Sequence, residues 1–148
     1  MHQIRSRVLS LVKNGAFTAA VTAAADFARR NPGMAECYGL LAQAEEVAGY
    51  TKAAIKSVSK AIALAPQEPV YRLHRGRLYL AANEAAKALD DMNVVLETAK
   101  VASSAHYIEV AVGYRDEALK SLQLHDRTTS TVRNVLRSVH CQGGAAAA

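Results

Sequence analysis

The sequence predicts an all-α protein, a right-handed superhelical solenoid of antiparallel helix pairs. An Ala–aliphatic pair returns at spacings of 34, 34 and 30 residues, as Ala20-Val21, Ala54-Ile55, Ala88-Leu89 and Ala118-Leu119. A glycine or asparagine that can end a helix stands five positions before each alanine, as Gly15, Gly49, Asn83 and Gly113. A period in this range is typical of stacked helical repeats, in which each unit buries its apolar face against its neighbours.

Each period divides into two helical stretches. In the first period, Ile4, Val8 and Leu11 recur at helical spacing, Gly15 closes the helix, and a second stretch ends at Pro32. We therefore predict repeats over about 1–34, 35–68 and 69–98, with Pro66 ending the second. A degenerate fourth repeat over about 99–126 would turn at Gly113. Its Ala–aliphatic pair follows the previous one after 30 residues instead of 34, which indicates that about one helical turn has been lost near 98–103.

A single amphipathic helix is predicted to cap the C-terminal end of the stack. Residues 128–141 place apolar side chains at i, i+3, i+4 and i+7, as Val132, Val135, Leu136 and Val139. The basic residues Arg133 and Arg137 lie off this stripe. The repeat domain would then cover 1–141 with nine helices, and the glycine- and alanine-rich residues 142–148 would form a disordered tail.

The pattern resembles the tetratricopeptide repeat (TPR) family over roughly residues 1–125. That family has a helix–turn–helix unit of about 34 residues. It carries small residues in the middle of the first helix and early in the second. Here Ala42 and Gly76 fill the first place, and Ala20, Ala54 and Ala88 fill the second. At the head of the third unit, where the family has a large residue, Arg72 stands instead and predicts loose packing.

Composition points away from an enzyme and from a membrane protein. The formal net charge is +5, and both ends of the chain are basic. The cysteines Cys37 and Cys141 have no metal-binding or redox spacing, which is typical of free thiols in the cytoplasm. No membrane-spanning run, phosphate-binding glycine loop or catalytic constellation is apparent, and Asp90-Asp91 are interpreted as capping a wet face. We expect no catalytic residues, no metal and no cofactor.

The resemblance implies that the first helices of the pairs line a groove that binds a peptide or helical segment of a partner. The candidate binding residues are cationic, amide, aromatic and apolar side chains on those helices: Arg5, Leu9, Gln43, His74, Arg77 and Tyr107. Such a set suits a protein or peptide ligand that carries carboxylates. The cationic clamp with which some family members grip a C-terminal carboxylate is not assembled here.

Four other possibilities remain open at this point, and one of them is that the chain is the repeat part of a longer enzyme. The chain could be a small secretion or assembly chaperone, or a scaffold that self-assembles into a homo-oligomer through exposed helical faces. It could also be a nucleic-acid-associated regulator, since Lys52, Lys56 and Lys60 form a stripe on one helix. No arginine-rich run or aromatic platform accompanies that stripe, so a nucleic-acid partner is disfavoured. The partner's identity is not encoded in the pattern.

Overall fold

The computed structural model describes the backbone of residues 2–102 and 105–142, and the side chains of residues 2–98 and 105–123. This part of the chain contains helices and no strand, as predicted. The seven helices, in chain order, are α1 (His2–Lys13), α2 (Phe17–Arg30), α3 (Ala35–Val47), α4 (Thr51–Leu64), α5 (Pro69–Ala81), α6 (Ala85–Ala102) and α7 (Ala105–Gln142). Each helix packs against the next, so the chain is an all-α repeat solenoid.

Left-handed backbone marks the turn inside each of the first three helix pairs. Gly15 has φ +73°, Gly49 has φ +81°, and Asn83 has φ +59°. Glycine adopts this conformation without a Cβ penalty, and asparagine tolerates it better than most residues do. The repeated turn residues therefore end α1, α3 and α5 where the sequence predicts. Pro32 and Pro66 follow the ends of α2 and α4, also as predicted.

Small side chains form the contacts between paired helices. Ala42 and Ala54 have no exposed surface and share a cluster with Val58 and Leu78. Gly76 lies against Met92, and a Cβ added there would collide with the Met92 Cε atom. Because the side chains at these positions are small, the helix axes come close together. The apolar core is therefore spread over many helix–helix contacts instead of being gathered at one centre.

The predicted fourth pair and the separate cap helix are wrong. Gly113 lies inside α7, which runs without a break from Ala105 to Gln142. Ala111 and Ala118, on either side of Gly113, are fully buried against α6. A turn at Gly113 would forfeit these contacts, whereas one glycine inside a helix costs only about 1 kcal/mol. Of the predicted tail over 142–148, only Gln142, the last residue of α7, belongs to the described residues.

The expectation that Asp91 lies on a solvent-exposed face is also wrong. Asp91 is 3% exposed rather than on a wet face. Its carboxylate accepts two hydrogen bonds from Arg75, both at 2.7 Å, and one from Arg72 at 3.3 Å. Arg72 and Arg75 thus join the entrance of the third unit to α6 through Asp91.

Candidate functional site

Two connected depressions lie on the face formed by α1, α3, α5 and α7, and we call them together the groove. The larger has a volume of about 500 Å³ and lies between α1, α3 and the start of α5. The smaller, of about 240 Å³, lies between α3, α5 and α7. The two share four lining residues, Gly39, Gln43, Val70 and Tyr71. The first helices of successive pairs thus form one continuous recess.

Tyr71 forms the floor where the two depressions meet. Its ring lies against Gly39, so closely that a Cβ added to Gly39 would be 2.7 Å from the Tyr71 Cε1 atom. Burial and the nearby carboxylates of Glu36 and Glu68 raise the pKa of the Tyr71 phenol. The phenol is therefore neutral at physiological pH. Beside it, Val70 is 43% exposed and adds an apolar wall.

A hydrogen-bonded group of three side chains lines the α5 side of the groove. The Glu46 Oε2 atom accepts a hydrogen bond from His74 Nε2 at 2.9 Å and another from Arg77 at 2.8 Å. The His74 side chain is only 9% exposed, and this burial lowers its pKa despite the adjacent carboxylate. His74 is therefore neutral at pH 7, and Arg77 is already paired with a carboxylate.

The structure brings most of the predicted binding residues together. Arg5 and Gln43 line the larger depression, and Gln43, His74 and Arg77 line the smaller one. The other two lie elsewhere. Leu9 is 47% exposed on α1 outside both depressions. Tyr107 is half-buried and packs against the cluster that contains Leu73 and Met92, so it supports the fold rather than forming the groove wall.

Sequence reasoning missed the apolar residues of the groove, namely Val70, Tyr71, Val110 and Tyr114. Val110 lies one turn after Tyr107 on the helix that the sequence predicts before Gly113, whereas Tyr114 falls at the predicted turn and reaches the groove only because α7 is continuous. Val70 and Tyr71 stand one turn before His74 on α5. Because residues three and four apart share a helix face, this spacing could have identified both.

Comparison with known proteins gives a fold but no family by sequence. No family model matches the chain, and no curated protein matches it. The type III secretion chaperone SycD of Yersinia enterocolitica, solved with a peptide of the translocator YopD, matches with a TM-score of 0.70 and 16% identity. That match covers 84% of this chain and 93% of SycD.

Two further solved structures are similar to the chain. The TPR2B domain of yeast Sti1, solved in complex with pHsp70, has a TM-score of 0.70 and 21% identity over 80% of this chain and 95% of that domain. MamA has a TM-score of 0.59 and 21% identity over 82% of this chain and 69% of MamA. The chain has the TPR fold. This confirms the resemblance drawn from the alanine period and the turn residues.

Among the described residues, no helix of this TPR fold is long and apolar enough to cross a membrane. The lysine stripe lies on the outside of the solenoid, where Lys52, Lys56 and Lys60 are exposed on α4. The Lys60 ammonium lies 5.3 Å from the centre of the Tyr38 ring, so it rests on the protein's own surface.

Proposed function

We propose that this protein is an interaction module that binds a peptide or helical segment of a partner protein in the groove. The continuous recess over Gly39, Gln43 and Tyr71 is the observation that carries the proposal. It offers apolar walls, an exposed amide and cationic groups within one surface. Apolar burial would supply most of the affinity, and the amide and cations would orient the segment.

The charges of the groove favour a segment that places a carboxylate beside Arg5 and away from Glu36, which lines the same depression. Arg5 lines the larger depression, and no ion pair involving it occurs among the described side chains. Arg77 lines the smaller depression but already shares Glu46 with His74. A partner carboxylate would therefore gain more beside Arg5 than beside Arg77. As part of the same proposal, the protein is cytoplasmic and the partner segment that it binds is acidic.

Selection from a displayed library of random peptides would test the groove directly. Peptides enriched on the wild-type protein should lose binding to a variant carrying Arg5→Glu and Val70→Asp, two exposed changes in the larger depression. The matched control is Lys56→Glu, which also alters surface charge but lies on the outer helix α4. Equal binding of the enriched peptides to all three proteins would place the interface outside the groove.

A secretion or assembly chaperone is a second candidate, and one observation favours it. SycD is described as a secretion chaperone, and it matches 84% of this chain over nearly its whole length. A chaperone would use the same groove, but it would keep an otherwise insoluble partner in solution. Co-expression distinguishes the two roles. A chaperone increases the soluble amount of its partner, whereas a plain interaction module leaves it unchanged.

A further inference from the structure

A third depression, which we call the edge depression, adjoins the groove at Glu36 and Tyr71. It has a volume of about 750 Å³ and is bounded by the loops over 31–34 and 65–68. Met34 and Leu64 line it with 39% and 44% of their surface exposed. Glu36 and Glu68 add two carboxylates, and no lysine or arginine occurs among the described residues that line it. The edge depression is thus apolar and acidic.

The second half of α7 extends past the helix that packs beside it. The first turn of α6 contacts the middle of α7, because Ala85 and Ala88 cluster with Ala118 and Leu122. α6 begins at Ala85, yet α7 continues to Gln142. At 1.5 Å per residue this adds about 30 Å of helix after Leu122. α6 cannot cover that length.

The sequence of this extension complements the edge depression. The apolar stripe over 132–139 suits the exposed Met34 and Leu64. Arg127, Arg133 and Arg137 carry its charge, and no acidic residue follows Asp126. A basic amphipathic helix and an acidic apolar depression are complementary both in charge and in apolar surface.

The two features lie at opposite edges of the same molecule. α5 and α7 both pack against α6, and α7 is antiparallel to α6, so α7 runs parallel to α5. α7 therefore begins at the edge where α5 begins, which is the edge of the loop over 65–68. Its far half leaves at the other edge, where Gly15, Gly49 and Asn83 turn. A continuous α7 cannot reach the edge depression of its own chain.

We propose that residues 128–141 of one copy dock in the edge depression of a second copy, so that copies join head to tail. Such a contact uses two different surfaces, so it produces open chains or rings, and the average mass of the assemblies grows with concentration. Because charged groups contribute, added salt should lower this mass. The contact lies outside the groove except at Glu36 and Tyr71, which border both.

Sedimentation velocity over a concentration series tests the proposal with the full chain. The wild-type protein should show an average mass that rises with concentration. Arg133→Glu with Arg137→Glu should weaken association at least about tenfold, because like charges then face each other. Leu64→Lys with Glu68→Lys should do the same. These two residues line the edge depression but not the groove, so peptide binding should be retained.

Mixing the two variants makes the test specific. The extension of the first variant is now acidic and the edge depression of the second is now basic. The two surfaces are therefore complementary again, and the mixture should associate. Lys52→Glu with Lys56→Glu, exposed on α4, is the control and should behave as the wild type. A wild-type protein that stays monomeric at every concentration, or a mixture that stays monomeric, would overturn the proposal. A wild-type protein that assembles but enriches no peptide from the displayed library would overturn the groove function alone.

Discussion

The second and third helix pairs each bury one carboxylate, but they treat it in opposite ways. Glu45 on α3 is 9% exposed, and its Oε2 atom has no hydrogen-bond partner among the described residues. Burial raises its pKa, an effect that the adjacent Ser57 partly opposes. Asp91 on α6 is 3% exposed and is held by Arg72 and Arg75. Glu45 therefore destabilises the second pair when it is charged, whereas Asp91 links α5 to α6 in the third pair.

This difference arises because the repeat conserves size and not charge from one pair to the next. The alanine at the pair junction recurs as Ala54 and Ala88, both fully buried. Asp91 has partners only because α5 happens to carry two arginines on the facing side. The apolar packing is thus the same in every pair of the solenoid, whereas the partners of a buried charge differ from one pair to the next. The predictions below test the two pairs separately.

The largest effect should follow from breaking the apolar junction of the second pair. Ala54→Glu places a long charged side chain at a position with no exposed surface, among the apolar side chains of Ala42, Val58 and Leu78. Overpacking and the uncompensated charge should together lower the free energy of unfolding by about 3–5 kcal/mol. Urea denaturation followed by circular dichroism measures this.

The control for Ala54→Glu is Ala63→Glu, an exposed position on the same helix. It adds the same charge to α4 without entering the junction. A wild-type denaturation midpoint for Ala54→Glu would mean that the register of α4 differs from the structure.

The third pair should weaken when its carboxylate is removed. Asp91→Ala leaves Arg72 and Arg75 without their partner, although both arginines keep about a fifth of their side chains exposed and can turn toward water. We expect a loss of about 2–3 kcal/mol in the free energy of unfolding. Asp90→Ala changes the neighbouring exposed residue and should be close to neutral. Equal effects of the two would mean that the arginine network contributes no net stability.

The second pair should instead gain stability when its carboxylate is removed. Glu45→Met keeps the length of the side chain and removes the charge, which should raise the free energy of unfolding at neutral pH by about 1 kcal/mol. Because the folded state raises the pKa of Glu45, its contribution is most favourable below 4.5 and is lost as the pH rises. The variant should therefore show a flatter decline in stability from acidic to neutral pH. Glu109→Met, an exposed change on α7, should leave that decline as it is.

Much of the fold could be predicted from the sequence because size and turn geometry repeat. Ala54 is the small residue that a close helix–helix contact requires, and Gly49 is the residue that a turn with positive φ requires. Both recur at a fixed spacing, so both can be recognised in the sequence. The course of α7 could not be predicted, because Gly113 fits a turn and a helix almost equally well, and only the contact of Ala111 and Ala118 with α6 decides between them. The groove, too, could be predicted only in part. Gln43, and by its spacing to His74 also Tyr71, could be predicted from helix position, whereas the close approach of the Tyr71 ring to Gly39 could not.

The smallest effect should be a pH dependence at the α5 side of the groove. His74 faces Glu46 from α3 and Arg77 on its own helix, while Gln43 and Tyr114 line the same depression. Because the folded state lowers the pKa of His74, protons bind more readily to the unfolded chain, and stability should fall as the pH drops below 6.5. His74→Gln keeps a donor for Glu46 but cannot titrate, so it should remove this part of the decline. His106→Gln, an exposed histidine on α7, should not. A decline that is unchanged in His74→Gln would mean that protonation of His74 is not what destabilises the third pair in acid.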